Sequence, residues 1–382
     1  MINVYYAPAG FEFAMKGKGD FEEIFRFCES DYILTNVLSW LKKSTIVKSR
    51  FVELCKKYQK ISLVDSGGFQ LITEKMEPED YDPLKIFKVQ QELGQIGFML
   101  DYPLMKITDE GMSIVTNSKE IEERIDFTKQ NLIDVSSITD RSMWYYFVIH
   151  GGRIEHYKRW IEDLYKRDKF DGVTLKTKNL YQLICSFFSS YHLDFTRYHA
   201  LGTSSIYTVI LLFYLVIKSR EFGKNIELLT YDSTTPLQHA IYRRALNIMM
   251  YTKFFRTFIS DSSLTTLGCS CKLCIHLGDN SVKAFMEDSN LLILHNINVV
   301  NKFNSFIQGV ANDKKIFLEL ISTHFSKISK IIKIIDLLFI TVVEGKKEFY
   351  TIYDNLDISI RRYIESLVDL EETNQSSLLD FM

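Results

Sequence analysis

Three thiols and one imidazole stand at a spacing that can close around a metal ion: Cys269-Ser-Cys271-Lys-Leu-Cys274, then His295 after a 20-residue gap. Three sulfurs and one nitrogen complete a tetrahedral shell, the closed coordination of a structural zinc rather than a catalytic one. Zn2+ is therefore the expected cofactor. His276 is a rival fourth ligand, but two residues beyond Cys274 it strains the geometry, whereas His295 follows the apolar run Leu291–Leu294, which can anchor it. Six cysteines with three packed into six positions do not form a disulfide ladder, and the expected setting is a reducing cytoplasm. A second set of reactive groups is spread along the chain: Asp65, Asp101, His150, Gly202 and Asp232 each end a short β-branched or aromatic run. Taken alone, an aspartate after a strand is most often a helix N-cap. Five such ends on separate strands exceed what capping explains.

The elements that must position these groups follow from the same runs. Asn3–Ala7, Tyr32–Asn36, Ser62–Gly67, Gly97–Pro103, Trp144–Gly151, Gly172–Lys176, Arg197–Gly202 and Ile226–Tyr231 read as strands, with longer helical segments between them. Alternating strand and helix means βαβ units on a parallel sheet, and eight strands close a (β/α)8 TIM barrel whose C-terminal face carries the active site. A doubly wound open sheet is the competing arrangement. After Asp232 the alternation stops. The expected partition is a barrel with the active site over 1–253, a zinc-binding subdomain inserted over 254–300, C-terminal helices over 301–368, and an acidic tail over 369–382.

The totals suit this plan. A chain of 382 residues, 46% apolar and 25% charged, with 5 prolines and 17 glycines, folds nearly throughout. A net charge of -2 excludes binding to nucleic acid through bulk positive charge, so any such contact rests on local patches. Lys42–Lys60, Lys158–Lys169, Arg243 with Arg244, and Lys327–Lys333 are candidates, each also readable as a solvated face. The N-terminal MINVYYAPAG lacks the basic and apolar regions of a secretory signal, and the longest apolar run, Val209–Ile217, is too short to span a bilayer. No membrane partner is expected.

Four segments together resemble the tRNA-guanine transglycosylase superfamily: Asp65-Ser-Gly-Gly-Phe-Gln70, Leu100-Asp-Tyr-Pro103, Tyr231-Asp-Ser233, and the Cys-x-Cys-x-x-Cys with His295-Asn296. The first and last are specific in combination, and the other two are short. The resemblance implies a barrel with a zinc subdomain near its end, and it implies roles. Asp232 matches the nucleophile and Asp65 the general acid/base. Asp101 matches the carboxylate that reads N1 and the exocyclic amine of the purine, with Ser66 beside Asp65 in the pocket. Phe69 and Leu201 match the residues that sandwich the base, and Gly202 a backbone position lining the pocket. The chemistry is coherent, because exchanging a base with retention at C1′ takes two displacements through a covalent aspartyl intermediate. Two carboxylates in one pocket also separate in pKa, which suits distinct roles.

The departures concern the bases and the polymer. His150-Gly151-Gly152 stands where the family has Gln-Gly-Gly, so His150 is expected to inherit base recognition. Asp171-Gly172-Val173 stands where a Gly-Gly-Leu turn approaches the incoming base, and Ser233-Thr-Thr-Pro-Leu does not reproduce the arginine-rich segment of the bacterial tRNA enzymes. The chain is therefore closest in character to the DpdA-like DNA 7-deazaguanine transglycosylases. That implies DNA as the nucleic-acid partner, with a preQ0-like 7-deazaguanine base as co-substrate. A tRNA substrate and a non-catalytic nucleic-acid-binding barrel are the alternatives. A helicase-like partner and a homodimer are candidate assemblies. At the C-terminus, Gln375, Leu378 and Phe381 have the spacing of a sliding-clamp docking peptide behind the spacer Glu371–Asn374, while packing of the same residues on their own domain is the plainer reading.

Overall fold

The structure, a computed structural model, describes residues 2–9, 11, 21–73, 81–108, 111–203, 205–249, 253–259, 267–345, 348–356 and 358–367. Its centre is one parallel sheet of eight strands: β1 (Val4–Pro8), β2 (Tyr32–Asn36), β3 (Ile61–Asp65), β4 (Ile96–Phe98), β5 (Trp144–Val148), β6 (Gly172–Lys176), β7 (Arg197–Leu201) and β8 (Leu228–Ser233). Their spatial order is β1-β8-β7-β6-β5-β4-β3-β2, so every strand lies beside its sequence neighbour. That singly wound order is a TIM barrel and excludes the doubly wound alternative, whose strand order reverses. Side chains close the seam between β1 and β2: the Ser30 hydroxyl bridges the carbonyls of Tyr6 and Tyr32 at 2.6 and 2.8 Å, and the Tyr5 and Tyr32 rings pack at 4.9 Å.

The strands form because they are buried on both faces and carry β-branched or aromatic residues; Tyr-Tyr-Phe-Val of β5 is buried without interruption. Several of the helices between them start at side-chain caps. Asp82 accepts from the amides of Leu84 and Lys85 ahead of the helix Pro83–Leu93, and Asn117 accepts from Lys119 and Glu120 ahead of Ser118–Ser136. Asn179 and Ser205 do the same for Leu180–Ser190 and Ile206–Glu221. Capping therefore falls to residues downstream of the strand ends, and Asp65, Asp101 and Asp232 cap nothing.

The helix Leu180–Ser190 is buried all round, and so is most of Ile206–Glu221, because a second helical layer covers them. Phe188 meets Phe339 and Phe349 at 5.2 and 5.7 Å, and Asp336 takes both the Tyr214 hydroxyl and the Lys218 ammonium, at 2.5 and 3.0 Å. This layer accounts for the apolar run Val209–Ile217, and no described helix is long and apolar enough to cross a membrane.

The bounds expected after β8 fall within elements of secondary structure. The boundary at 253/254 lies one residue inside the second strand of an antiparallel hairpin, Arg244–Met249 with Lys253–Phe258. The boundary at 300/301 falls inside a single helix, Ser289–Ala311, whose apolar spacing continues across it. That helix ties the hairpin to the barrel: Asn296 bonds to Leu246 and Arg244 of the hairpin, and Asn304 bonds to the carbonyl of Val4 in β1. The tail over 369–382, with its docking peptide, lies outside the described residues.

Candidate active site and metal centre

The C-terminal ends of the barrel strands bring Asp65, Asp101, His150, Lys176, His199 and Asp232 around one mouth. Asp65 ends β3, held by Asn36 of β2, whose amide donates to Oδ2 at 2.8 Å. Ser66 is buried beside it, and Gly67 turns the chain at φ +84°. Gly68 is required by its neighbour: a Cβ there would lie 2.7 Å from the Asp101 carbonyl oxygen and 2.8 Å from its Oδ1. Phe69 then projects with 45% of its surface exposed.

Asp101 lies beyond β4 on a stretch pinned by the helix Ser118–Ser136. Asn131 donates to the Leu100 carbonyl at 3.1 Å, and the Tyr102 amide donates to Thr128 at 2.9 Å. Arg124 stacks on Tyr102 at 4.4 Å and donates to the carbonyls of Pro103 and Met105. The carboxylate meets His150 through Oδ2 and Nε2. Burial, then the charge of Lys176, lowers the His150 pKa to about 4, so at neutral pH the imidazole is uncharged. His150 was expected to read the base directly. The structure engages its Nε2 with Asp101 and packs its ring on Trp160 at 5.0 Å.

This depressed pKa makes a stability prediction with a definite sign. The folded state refuses a proton that the unfolded histidine accepts near pH 6.5, so the associated stability is present above that value and is lost as pH falls toward 4. Urea unfolding at pH 7 and pH 4.5 is expected to show the wild type losing on the order of 2 kcal/mol more than His150→Gln. Equal losses in the two proteins would remove His150 as the source.

Asp232 lies in β8, and its Oδ1 receives the Gly202 amide at 2.7 Å and faces His199 Nε2 at 3.2 Å. His199 is itself held by Thr230 at 2.8 Å and the Phe98 ring at 4.9 Å. Oδ2 of Asp232 has no hydrogen bond among the described residues. Gly202, at φ +72°, is the residue that can present its amide in this turn. Leu201 ends β7, and its carbonyl accepts from Thr177 at 2.5 Å. Because β3 and β7 are four strands apart in a barrel of eight, Phe69, just past β3, and Leu201, at the end of β7, stand on opposite sides of the barrel.

Asp65 is only partly exposed. Desolvation, then the charges of Asp101 and Asp232, raise its pKa to about 7. It can thus hold a proton and release it at neutral pH, which is the property of an acid/base group.

Two glycines do not line this mouth as open backbone. Gly172 starts β6, at the opposite end of the strand from Lys176, where a Cβ would lie 2.7 Å from the Tyr146 ring and 2.9 Å from the Arg197 carbonyl. It permits close strand packing and does not touch the site. Gly151 adjoins His150, but a Cβ there would run 2.6 Å from Tyr157, so it too is a packing glycine. The residues not anticipated are Asn36, His199 and Lys176. His199 was detectable in principle, since it stands two residues before Leu201 on the same face of the strand, between the apolar Tyr198 and Ala200.

The metal centre lies outside the barrel. Ligand atoms of Cys269, Cys271, Cys274 and His295 all fall within 4.8 Å of one another, with His295 Nδ1 at 3.2 Å from Cys274 Sγ and 3.6 Å from Cys271 Sγ. Tetrahedral zinc with Zn–S bonds of about 2.3 Å needs ligand atoms about 3.5 Å apart, so the set fits. His295 Nε2 is fixed on the Leu246 carbonyl at 2.8 Å, leaving Nδ1 for the metal. His276 is elsewhere, stacked on Phe27 at 4.5 Å.

No family model matches the chain, and no curated protein matches it. Among solved structures, D-psicose 3-epimerase with D-tagatose from Clostridium cellulolyticum H10 aligns with 79% of this chain and 98% of that one. The TM-score is 0.43 and the identity 8%.

Proposed function

We propose that the chain is a guanine transglycosylase that removes guanine from a nucleic acid, DNA in our reading, and inserts a 7-deazaguanine base through a covalent bond to Asp232. The observation that carries this reading is the placement of the carboxylates. Asp101 follows β4 and Asp232 lies in β8, four strands apart and so on opposite walls of one mouth, with Asp65 on the adjoining β3. A guanine has its N1 and amino donors on the edge opposite N9. A base that gives those donors to Asp101 therefore turns its glycosidic bond toward Asp232.

In the first displacement an Asp232 oxygen bonds to C1′ as the C1′–N9 bond breaks, and Asp65 supplies the proton that the departing guanine takes. In the second, the incoming base loses its N9 proton to the Asp65 carboxylate, N9 bonds to C1′, and the C1′–O bond to Asp232 breaks. Protons and bonds balance, and configuration at C1′ is retained. Gly202 and His199 aim Asp232 by engaging Oδ1. Phe69 and Leu201 provide apolar walls for a base taken out of its stack. The four-ligand cluster holds a structural Zn2+ in this reading, and thiols kept as metal ligands fit a reducing, cytoplasmic setting. The preference for DNA rests on Ser233-Thr-Thr-Pro-Leu standing where tRNA enzymes carry arginines.

Incubation with labelled guanine and either duplex DNA, melted DNA or tRNA tests the reading. Label is expected in DNA, more in the melted form. Label in tRNA alone would move the substrate to tRNA, and label in no polymer would remove the activity.

A further inference from the structure

Lys176 ends β6, at the same end of the sheet as Asp65, Asp101, His150 and Asp232, and its charge is coupled to theirs. Its ammonium nevertheless has no ion pair and no hydrogen bond to any described residue. The side chain keeps part of its surface open to the mouth while the surrounding protein strips its water, and that desolvation lowers its pKa. A charge taken from water without a partner costs free energy that a bound group can recover. The other charged or imidazole groups described at these strand ends are engaged: Asn36 holds Asp65, His150 meets Asp101, and His199 holds Asp232. Among these described residues Lys176 is a cationic donor that remains without a hydrogen-bonded partner.

From this we infer that Lys176 is the residue that selects guanine-type bases, by donating to the O6 oxygen. The inference rests on the base-exchange reading above and adds to it the residue that reads the keto group. Strand β6 lies two strands from β4 and two from β8, so Lys176 stands between the wall that carries Asp101 and the opposite wall that carries Asp232. An acceptor on one wall and a donor on the next flank match the edge of guanine, where N1–H and the 2-amino group donate and O6 accepts. They mismatch adenine, whose 6-amino group would face the ammonium. The outgoing guanine and an incoming 7-deazaguanine differ at position 7 and share O6, so a donor on O6 serves both halves of the exchange.

Equilibrium binding of three free bases separates the contributions. Hypoxanthine lacks the 2-amino group, and 2-aminopurine lacks O6. The wild type is expected to prefer guanine over both. Lys176→Met is expected to weaken guanine by about 10- to 100-fold, the range for one charge-assisted hydrogen bond, while 2-aminopurine binding changes less than about threefold. The guanine-to-hypoxanthine ratio should survive in Lys176→Met and collapse in Asp101→Asn. Lys176→Arg, which keeps a charged donor, should keep the preference for guanine over 2-aminopurine and carries the comparison if the Met variant melts early. Equal weakening of all three bases by Lys176→Met, or no weakening of guanine, would overturn the assignment while leaving the base-exchange reading in place. A wild type that binds none of the purines would overturn both.

Discussion

An Asp232→Ala chain is expected to exchange no base and to form no covalent adduct with nucleic acid, a loss of at least ~10^4-fold in turnover. The expectation follows from what surrounds the carboxylate. Its Oδ1 is held by the Gly202 amide and His199, which fixes the plane of the group and leaves Oδ2 free to attack. No other carboxylate can substitute, because Asp101 is engaged with His150 and Asp65 is raised to about 7 and partly protonated at neutral pH. Asp65→Asn should behave differently. It keeps polymer binding, slows base release by ~10^2- to 10^4-fold, and abolishes a pH dependence that the wild type shows. Release needs the protonated form, so the wild-type rate is expected to fall as pH rises through about 7, in the direction set by the raised pKa. Denaturing gels read the adduct, and single-turnover release of labelled guanine reads the rate. An Asp232→Ala protein that still forms an adduct would place the nucleophile elsewhere.

The main groups of this site were legible because each makes a local pattern. Asp65 and Asp232 end buried runs, and a glycine pair after Asp65 signals a turn that only a residue without Cβ can make. The four metal ligands were legible because three lie within six residues and the fourth follows an apolar run. What stayed hidden depends on closure of the barrel. Asn36 reaches Asp65 only because β2 pairs with β3 in register Asn36 to Asp65, and nothing local in Tyr32–Asn36 announces that pairing. His150 was given the base because of its position in a motif, whereas burial and the approach of Asp101 decide its partner. Gly172 was misplaced for a related reason: the strand it belongs to begins there and runs five residues to Lys176, so the glycine sits at the far end and the lysine takes the mouth. The bounds expected after Asp232 follow composition, which changes near Phe254, while the hairpin's hydrogen bonding starts at Arg244.

Removing the zinc proposed for the Cys269, Cys271, Cys274 and His295 cluster is the second perturbation with a large expected effect, and it should reach the candidate active site as well as the stability. The four ligands come from three elements: the stretch carrying Cys269, the start of the helix Lys272–Leu277 with Cys271 and Cys274, and the helix Ser289–Ala311 with His295. His295 and Cys271 are fully buried, and without an ion their polar atoms face one another in place of a ligand bond. The residue after His295 extends the effect: Asn296 donates to the carbonyls of Pro236 and Arg244, and Pro236 lies four residues past Asp232 in the helix Thr235–Ile241. Loosening the helix at His295 therefore loosens the support of the segment leaving β8. Elemental analysis is expected to find one zinc per chain. Extended chelation, or Cys271→Ser, should lower the melting temperature by on the order of 10 °C, because metal binding is coupled to folding of this unit. Base exchange should decline with zinc content and recover on adding zinc back to the chelated protein, whereas the Cys271→Ser chain should not recover. A chelated protein that loses its zinc yet melts and turns over as before would show that the cluster supports neither the fold nor Asp232.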